Sequence, residues 1–314
     1  MIHYFVAERL AFRMNWYLAG EPALADRLVV VPYEHAWEQT SFAPGTYIFA
    51  DLEWLAGSGL EATVGLWKRL SELDGEVTLL NDPSRALRRF ELLRDLHTRG
   101  INRFNAYRVP ASLESWAPLA LRYPVFLRCE RAHVGNMSDL LFSWREVLEA
   151  VPAARASGTY GADELLVVEW CDTSDAKGVF RKYGAFVIGE TIVARHLVCS
   201  RDWVVKDFEL LDEDVLYEAR AYIAKNPHAD FLREVARDAA IQWGRFDYSL
   251  RDGEPQIWEV NTNPTIIAPG GRAMPINFDR LSIEFHRAPM RRIATALLAV
   301  DGARAPTAEL AASA

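Results

Sequence analysis

Two short strands facing each other across a tight turn constrain this chain more than any other segment. Residues 243–264 run WGRFDYSL, then Arg251-Asp252-Gly253-Glu254, then PQIWEVN and Thr262-Asn263-Pro264. An Asp-Gly pair between two apolar runs is a hairpin signal, because tight turns need residues that tolerate positive φ. Side chains alternate faces along a strand, so Ile257, Glu259 and Asn261 share one face and Trp258 and Val260 the other. The turn brings Asp247 back toward Glu259, with Arg245 on the same face as Asp247. A surface hairpin with a polar outer face is the simpler alternative for this segment taken alone. Asp and Asn are poor strand residues, however, and solvation is a weak reason to place them beside a glutamate and before Asn-Pro. Two carboxylates and an amide oxygen form a sparse set of hard ligands. Such a set suits magnesium, which keeps waters and borrows phosphate oxygens for its other positions. An arginine beside it can stabilise charge on a transferring phosphoryl group.

The rest of the chain supplies a layered context. HYFV (3–6), RLVVVP (27–32), TYIFAD (46–51) and VTLLND (77–82) read as buried strands, with helical spacing over 8–19 and 59–73. Alternation of this kind predicts a parallel α/β layer, but no GxGxxG or phosphate-binding P-loop occurs in it. Asn81-Asp82-Pro83-Ser84 opens a helix over 85–99, striped by Leu87, Phe90, Leu93 and Leu96 and closed by Gly100. Next come a strand, YPVFLRCE (123–130), a loop with His133 and Gly135, and an amphipathic helix at 138–150. ELLVVEWC (164–171) is a strand, and residues 180–198 form a hairpin turning at Gly189-Glu190. Helices follow over 213–225, 228–242 and 280–299, and the Ala/Pro-rich tail from 301 is expected to be mobile.

Bulk properties exclude several classes. At 314 residues the chain is long for one small core and fits two or three subdomains. A formal net charge of −8 disfavours a nucleic-acid footprint. Cys129, Cys171 and Cys199 lie far apart, in no metal or disulfide spacing. No apolar run is long enough to span a membrane. MIHYFVAERL does not read as a secretory signal, so a cytoplasmic location is expected. No Ser/His/Asp or Cys/His constellation suggests a side-chain nucleophile.

WGRFDYSL…DG…WEVNTNP resembles the terminal motif of ATP-grasp enzymes, and of D-alanine–D-alanine ligases in particular, and the order of features from about residue 81 to 265 agrees. The resemblance implies an α/β chain with the ATP-grasp fold: two α+β subdomains clamping ATP, preceded by a small parallel α/β pre-ATP-grasp domain. The expected bounds are 1–84 for that first domain, 85–170 for the subdomain with a phosphate lid, 171–300 for the subdomain with the metal site, and 301–314 for the tail. By resemblance Asp247, Glu259 and Asn261 hold magnesium between the β- and γ-phosphates. Arg245 meets the γ-phosphate and the developing tetrahedral intermediate. The family places one lysine eleven residues before a Gly-Ile pair, where this chain has Arg89 ahead of Gly100-Ile101. It places another at the end of Pro-Val-x-x-Lys, where this chain has Arg128. Arginine keeps the charge but brings a planar fork. The family's glycine-rich lid is here Glu130-Arg131-Ala132-His133-Val134-Gly135-Asn136, with His133 as an added donor. VVEWC (167–171) resembles the hinge strand, where the Glu169 carbonyl and the Cys171 N–H read the adenine edge. Asp175 stands where a ribose-binding acid is found, with Asp172 as its competitor. Arg181, Lys182 and Arg195 flank the next hairpin and face either phosphates, an anionic substrate or solvent.

The expected function is an ATP-dependent ligase that activates a carboxylate as an acyl phosphate for attack by an amine or another nucleophile, with ATP and magnesium as cofactors and a small molecule or peptide as substrate. A small-molecule kinase and a nucleotide-binding sensor or pseudoenzyme are the alternatives, and assembly as a homodimer is left open. A cleft is expected between residues 100–168 and 172–265, with 130–136 as its lid. Gly270-Gly271-Arg272 is expected to border the acceptor pocket. That stretch departs from the D-alanine ligase pattern, so the substrate does not carry over.

Overall fold

The computed structural model describes residues 1–114, 116, 120–133, 135–159, 161–206, 210, 212–266 and 280–302, the last segment without the side chains of 280–286. Gly270-Gly271-Arg272 and the tail beyond 302 lie outside the described residues. In chain order the elements are β1 (Ile2–Val6), α1 (Phe12–Leu18), α2 (Pro22–Ala25), β2 (Leu28–Pro32), α3 (Tyr33–Ala36), β3 (Thr46–Phe49), α4 (Gly57–Ser71), β4 (Thr78–Leu80), α5 (Arg89–Thr98), β5 (Ala106–Arg108), β6 (Val125–Cys129), α6 (Trp144–Ala156), β7 (Leu165–Glu169), β8 (Phe180–Ile188), β9 (Thr191–Ser200), α7 (Glu213–Lys225), α8 (Ala229–Asp238), β10 (Trp243–Arg251), β11 (Glu254–Asn261) and α9 (Arg280–Gly302).

Among the described residues these strands form three sheets. The first is parallel, in the order β2-β1-β3-β4. A parallel sheet needs cover on both faces, so its inner strands read as continuous apolar runs. Tyr4 and Ile48 face one core and Phe5, Tyr47 and Phe49 the other. The second sheet is antiparallel, β11-β10-β8-β9. Its outer face is covered by α7 and α8 through Val215, Tyr222, Ile223, Leu232 and Val235. The third, β5-β7-β6, is antiparallel and is backed by Val147 and Val151 of α6.

Helix α5 joins the last two sheets. Leu92 and Leu96 belong to the core of the four-stranded sheet, whereas Leu93 belongs to that of the three-stranded sheet, with Phe104, Phe126 and Val168. A helix with apolar residues on two adjacent faces can be wedged between two layers. Its first residue, Arg89, is thereby carried to the seam. Two buried asparagines reinforce the joints. Asn81 Nδ2 donates to the carbonyls of Phe49 and Trp243, and its Oδ1 accepts from Gln242 N and Trp243 N, which pins β3 to β10. Asn102 exchanges a donor and an acceptor with Ile257, pinning the segment after α5 to β11.

Helix α6 begins at Trp144, later than the apolar spacing predicts. Ser143 caps it by accepting from Glu146 N, while the Glu146 carboxylate receives the Ser143 hydroxyl and Phe142 N–H. This reciprocal capping box stops the helix from extending backward. No described helix is long and apolar enough to cross a membrane.

Candidate functional site

On the hairpin β10–β11, Arg245 pairs with Asn261 and Asp247 with Glu259. These four side chains project from one face into a cavity of about 410 Å³ between the two antiparallel sheets. The strand beneath them is fitted closely. A Cβ on Gly244 would meet Val260 Cγ1 at 3.0 Å and Asn261 O at 3.1 Å. On β8, Gly184 lies opposite Asp247, and a Cβ there would come within 2.4 Å of the His196 ring. Both positions require glycine for space.

The polar end of the cavity is strongly charged. Arg128 at the end of β6, His133 of the following loop, Lys182 of β8 and Lys206 beyond β9 face Arg245, Asp247, Glu259 and Asn261. Glu259 Oε2 accepts from Arg89 and Arg128 and lies 3.2 Å from His133 Nδ1. Burial raises the Glu259 carboxyl, but Arg128, Arg89 and His133 together hold it well below the usual carboxylate range. Arg245 grips Asp247 with both prongs, Nε to Oδ1 at 2.7 Å and Nη2 to Oδ2 at 3.0 Å. Burial pushes the Arg128 guanidinium down to about 10, against the pull of Glu259, and its Nε is buried without a hydrogen-bond partner. Burial also lowers Lys182, whose Nζ donates to the carbonyl of Val205. Among the described lining residues, Arg128, Lys182, Lys206 and Arg245 set four permanent positive charges against the carboxylates of Asp247 and Glu259. The cavity therefore holds an excess of positive charge, with Arg128, Lys182 and Arg245 half-buried and Lys206 exposed at its edge. Only an anion can balance that at low cost.

The donor chemistry fits magnesium. No cluster of three His, Cys, Asp or Glu is placed to hold a metal among the described residues. The two carboxylates and the Asn261 amide instead form a sparse oxygen set that a polyphosphate can complete. The amide's orientation is fixed, because Asn261 Oδ1 accepts from Asn263 N at 2.9 Å.

The other end of the cavity is apolar, lined by Phe126, Trp170, Cys171, Trp203 and Trp258. Trp258 stacks on Phe104 at 4.6 Å, and Trp203 lies 5.1 Å from Phe126. A flat ring of a ligand fits such walls.

The residues singled out by sequence distribute unevenly. Arg128, His133, Cys171, Lys182, Arg245, Asp247, Glu259 and Asn261 line the cavity together. Arg89 is buried behind Glu259 and is not a lining residue. The Glu169 side chain turns away from the cavity and accepts from Asn105 N and Arg122. Burial raises the Cys171 thiol, which leaves it protonated. Asp175 lies outside the lining. It accepts from Val179 N and pairs with Arg181, which together hold its carboxyl at about 2. Arg195 is also outside the lining. Burial pushes it down to about 10, and its Nη2 donates to Ile266 O just beyond β11.

Two participants went unread in the sequence. Lys206 follows β9 and reaches the loop after β6, where a Cβ on Gly135 would meet its Nζ at 3.2 Å. No local pattern marks it. Glu53 is buried and accepts from Thr262 N and Oγ1 at 2.6 Å each, while its Oε1 lies 3.4 Å from His133 Nε2. Its place just past a parallel strand was the available signal, because ligand crevices form at the carboxyl ends of such strands. Burial lowers His133, but Glu259 and Glu53 outweigh it and raise the imidazole above its ordinary value.

No family model matches the chain, and no curated protein matches it. Solved structures do. D-alanine–D-alanine ligase from Bacillus anthracis is similar at a TM-score of 0.52 and 12% identity, over 96% of this chain and 99% of that one. The same enzyme complexed with ATP is similar at 0.50 and 11% identity, over 94% and 98%. A RimK domain ATP-grasp protein from Sphaerobacter thermophilus aligns at 0.48 and 13% identity, over 96% and 99%.

Proposed function

The chain has the ATP-grasp fold, and we propose that it is an ATP-dependent ligase acting on a carboxylate substrate. The observation that carries this reading is the cavity's charge: four permanent cations against the Asp247 and Glu259 carboxylates, beside an aromatic-walled end. A nucleoside triphosphate matches both halves. Its base would sit among Trp170, Trp203 and Trp258, in reach of the Glu169 carbonyl and the Cys171 N–H. Its phosphates would meet Arg128, Lys182 and Lys206.

Asp247, Glu259 and Asn261 would hold magnesium, which when bound neutralises charge on the transferring phosphoryl group. The substrate carboxylate attacks the γ-phosphorus as the bond to ADP breaks, giving an acyl phosphate. An amine then attacks the carbonyl carbon, loses its proton, and expels phosphate. Arg245 would stabilise the oxyanion of that second step, since Asp247 holds its guanidinium at the cavity wall. The remaining work is to position reactants and exclude water, which needs no side-chain nucleophile. The test is a screen of amino acids, dipeptides and hydroxy acids for phosphate release with ATP and magnesium. A ligase releases phosphate only when both substrates are present. A phosphorylated product would instead indicate a kinase, and ATP binding without turnover of any substrate would indicate a sensor.

A further inference from the structure

We propose that Arg89 is a positioning residue that clamps the loop Cys129–His133 onto the Glu259 carboxylate, and that it does not itself meet the nucleotide phosphates. The inference rests on the proposed nucleotide site and departs from the role that its place in the sequence implies.

Arg89 opens α5 and is 2% exposed, one of the largest fully buried side chains. Its Nη1 donates to the carbonyls of Cys129 at 2.6 Å, Glu130 at 3.1 Å and Ala132 at 2.9 Å. Its Nη2 lies 2.9 Å from His133 Nδ1 and donates to Glu259 Oε2. Each terminal nitrogen of a guanidinium carries two hydrogens. Three carbonyls share those of Nη1, while Nη2 donates to Glu259 and packs against His133 Nδ1. Only Nε is left, and it is buried away from any partner. A phosphate could recruit Arg89 only by freeing carbonyls that are otherwise buried without donors, which is costly. Arg128 differs: it lines the cavity beside Glu259.

The geometry also explains why arginine stands here. The clamp must reach a bank of carbonyls on one side and a carboxylate on the other. A planar fork spans that distance, and a compact ammonium does not. The loop is held at its far end too, by the bridge between Asn136 and Arg128 and by Met137 N donating to Leu127 O at 2.7 Å. His133 extends the link through Glu53 to the first sheet's strand ends. Arg89 thus sets the position of a metal ligand and of the loop above it together.

The test compares wild type, Arg89→Lys and Arg128→Lys as full chains. ATP affinity is measured with magnesium and with excess chelator. Arg89→Lys should stay within about twofold of wild type in chelator but lose about tenfold or more of the affinity that magnesium adds, since it loosens Glu259 only. Arg128→Lys should weaken ATP under both conditions. Equal weakening of Arg89→Lys in both conditions, or no change in either, would overturn the proposal. Trypsin supplies a second reading at the Arg131–Ala132 bond. In nucleotide-free wild type this bond should resist cleavage, and Arg89→Lys should cut about tenfold faster or more, because the loop opens once its carbonyl clamp is lost. If Arg89→Lys does not fold, wild type alone decides. A bond cut readily without nucleotide and protected only by ATP contradicts a standing clamp. If wild type binds no ATP at all, the ligase reading fails, while the trypsin comparison still decides the role of Arg89.

Discussion

Glu259 is 8% exposed and meets two guanidinium groups and an imidazole. Removing one partner from such a cluster leaves uncompensated charge, so its members act jointly. Arg128→Ala is expected to weaken ATP binding by about 1.5–3 kcal/mol, the usual worth of a hydrogen bond to a charged group. Arg128→Lys should recover part of that loss, because charge returns without the fork; calorimetric titration checks both. A second residue carries a pH dependence. Burial, and then the charge of Glu53, push the Asp51 carboxyl up to about 7. A raised acid binds its proton more tightly when folded, so its contribution is full below about pH 4 and is lost as pH rises toward about 7. Asp51→Asn mimics the protonated form. Its urea midpoint should gain on wild type between pH 4 and 7 and hold a constant lead above that window. A lead that shrinks as pH rises would contradict the assignment. The sequence revealed Asp247, Glu259 and Asn261 because strand alternation alone places them on one face. It did not reveal Glu53 or Lys206, since each enters from another part of the chain; only Glu53, just past a parallel strand, carried a local signal.

At the scale of elements, the hairpin was legible from its turn, but its alternation breaks at a bulge: Tyr248 pairs with Ile257, Trp258 is skipped and lines the cavity beside Glu259, and Ile257 joins Val260 in the core on the other face, against the faces the alternation predicts. The start of α6 was not legible, because apolar spacing continues upstream of the cap that ends it at Ser143. The joints between elements were hidden for a similar reason. Asn81 reads as part of a helix-opening turn, yet its side chain bridges Phe49, Gln242 and Trp243, and its φ is +65°. Asn81→Ala removes these bonds, strands buried backbone groups, and places a β-carbon in the left-handed region. A loss of about 2–5 kcal/mol is expected from these terms. Denaturant unfolding followed by intrinsic fluorescence measures it. A change below about 0.5 kcal/mol, the size of an ordinary surface substitution, would show that the joint is held elsewhere.

For the whole molecule, alternating strands and helices announced the parallel layer, and the order of later motifs announced the clamp. The charge balance of the cavity was not visible in a chain whose net charge is −8. It arises because two antiparallel sheets turn Arg128, Lys182 and Arg245 toward the same space, and the segment after β9 adds Lys206. That local excess supports the proposal of a metal-bound triphosphate, with Asp247 and Glu259 as ligands of its cation. Calorimetric titration of ATP in magnesium and in excess chelator, on wild type and Asp247→Asn, tests this most directly. Wild type should bind ATP well only with magnesium, and Asp247→Asn should lose most of the difference. Equal affinity in magnesium and in chelator would contradict it.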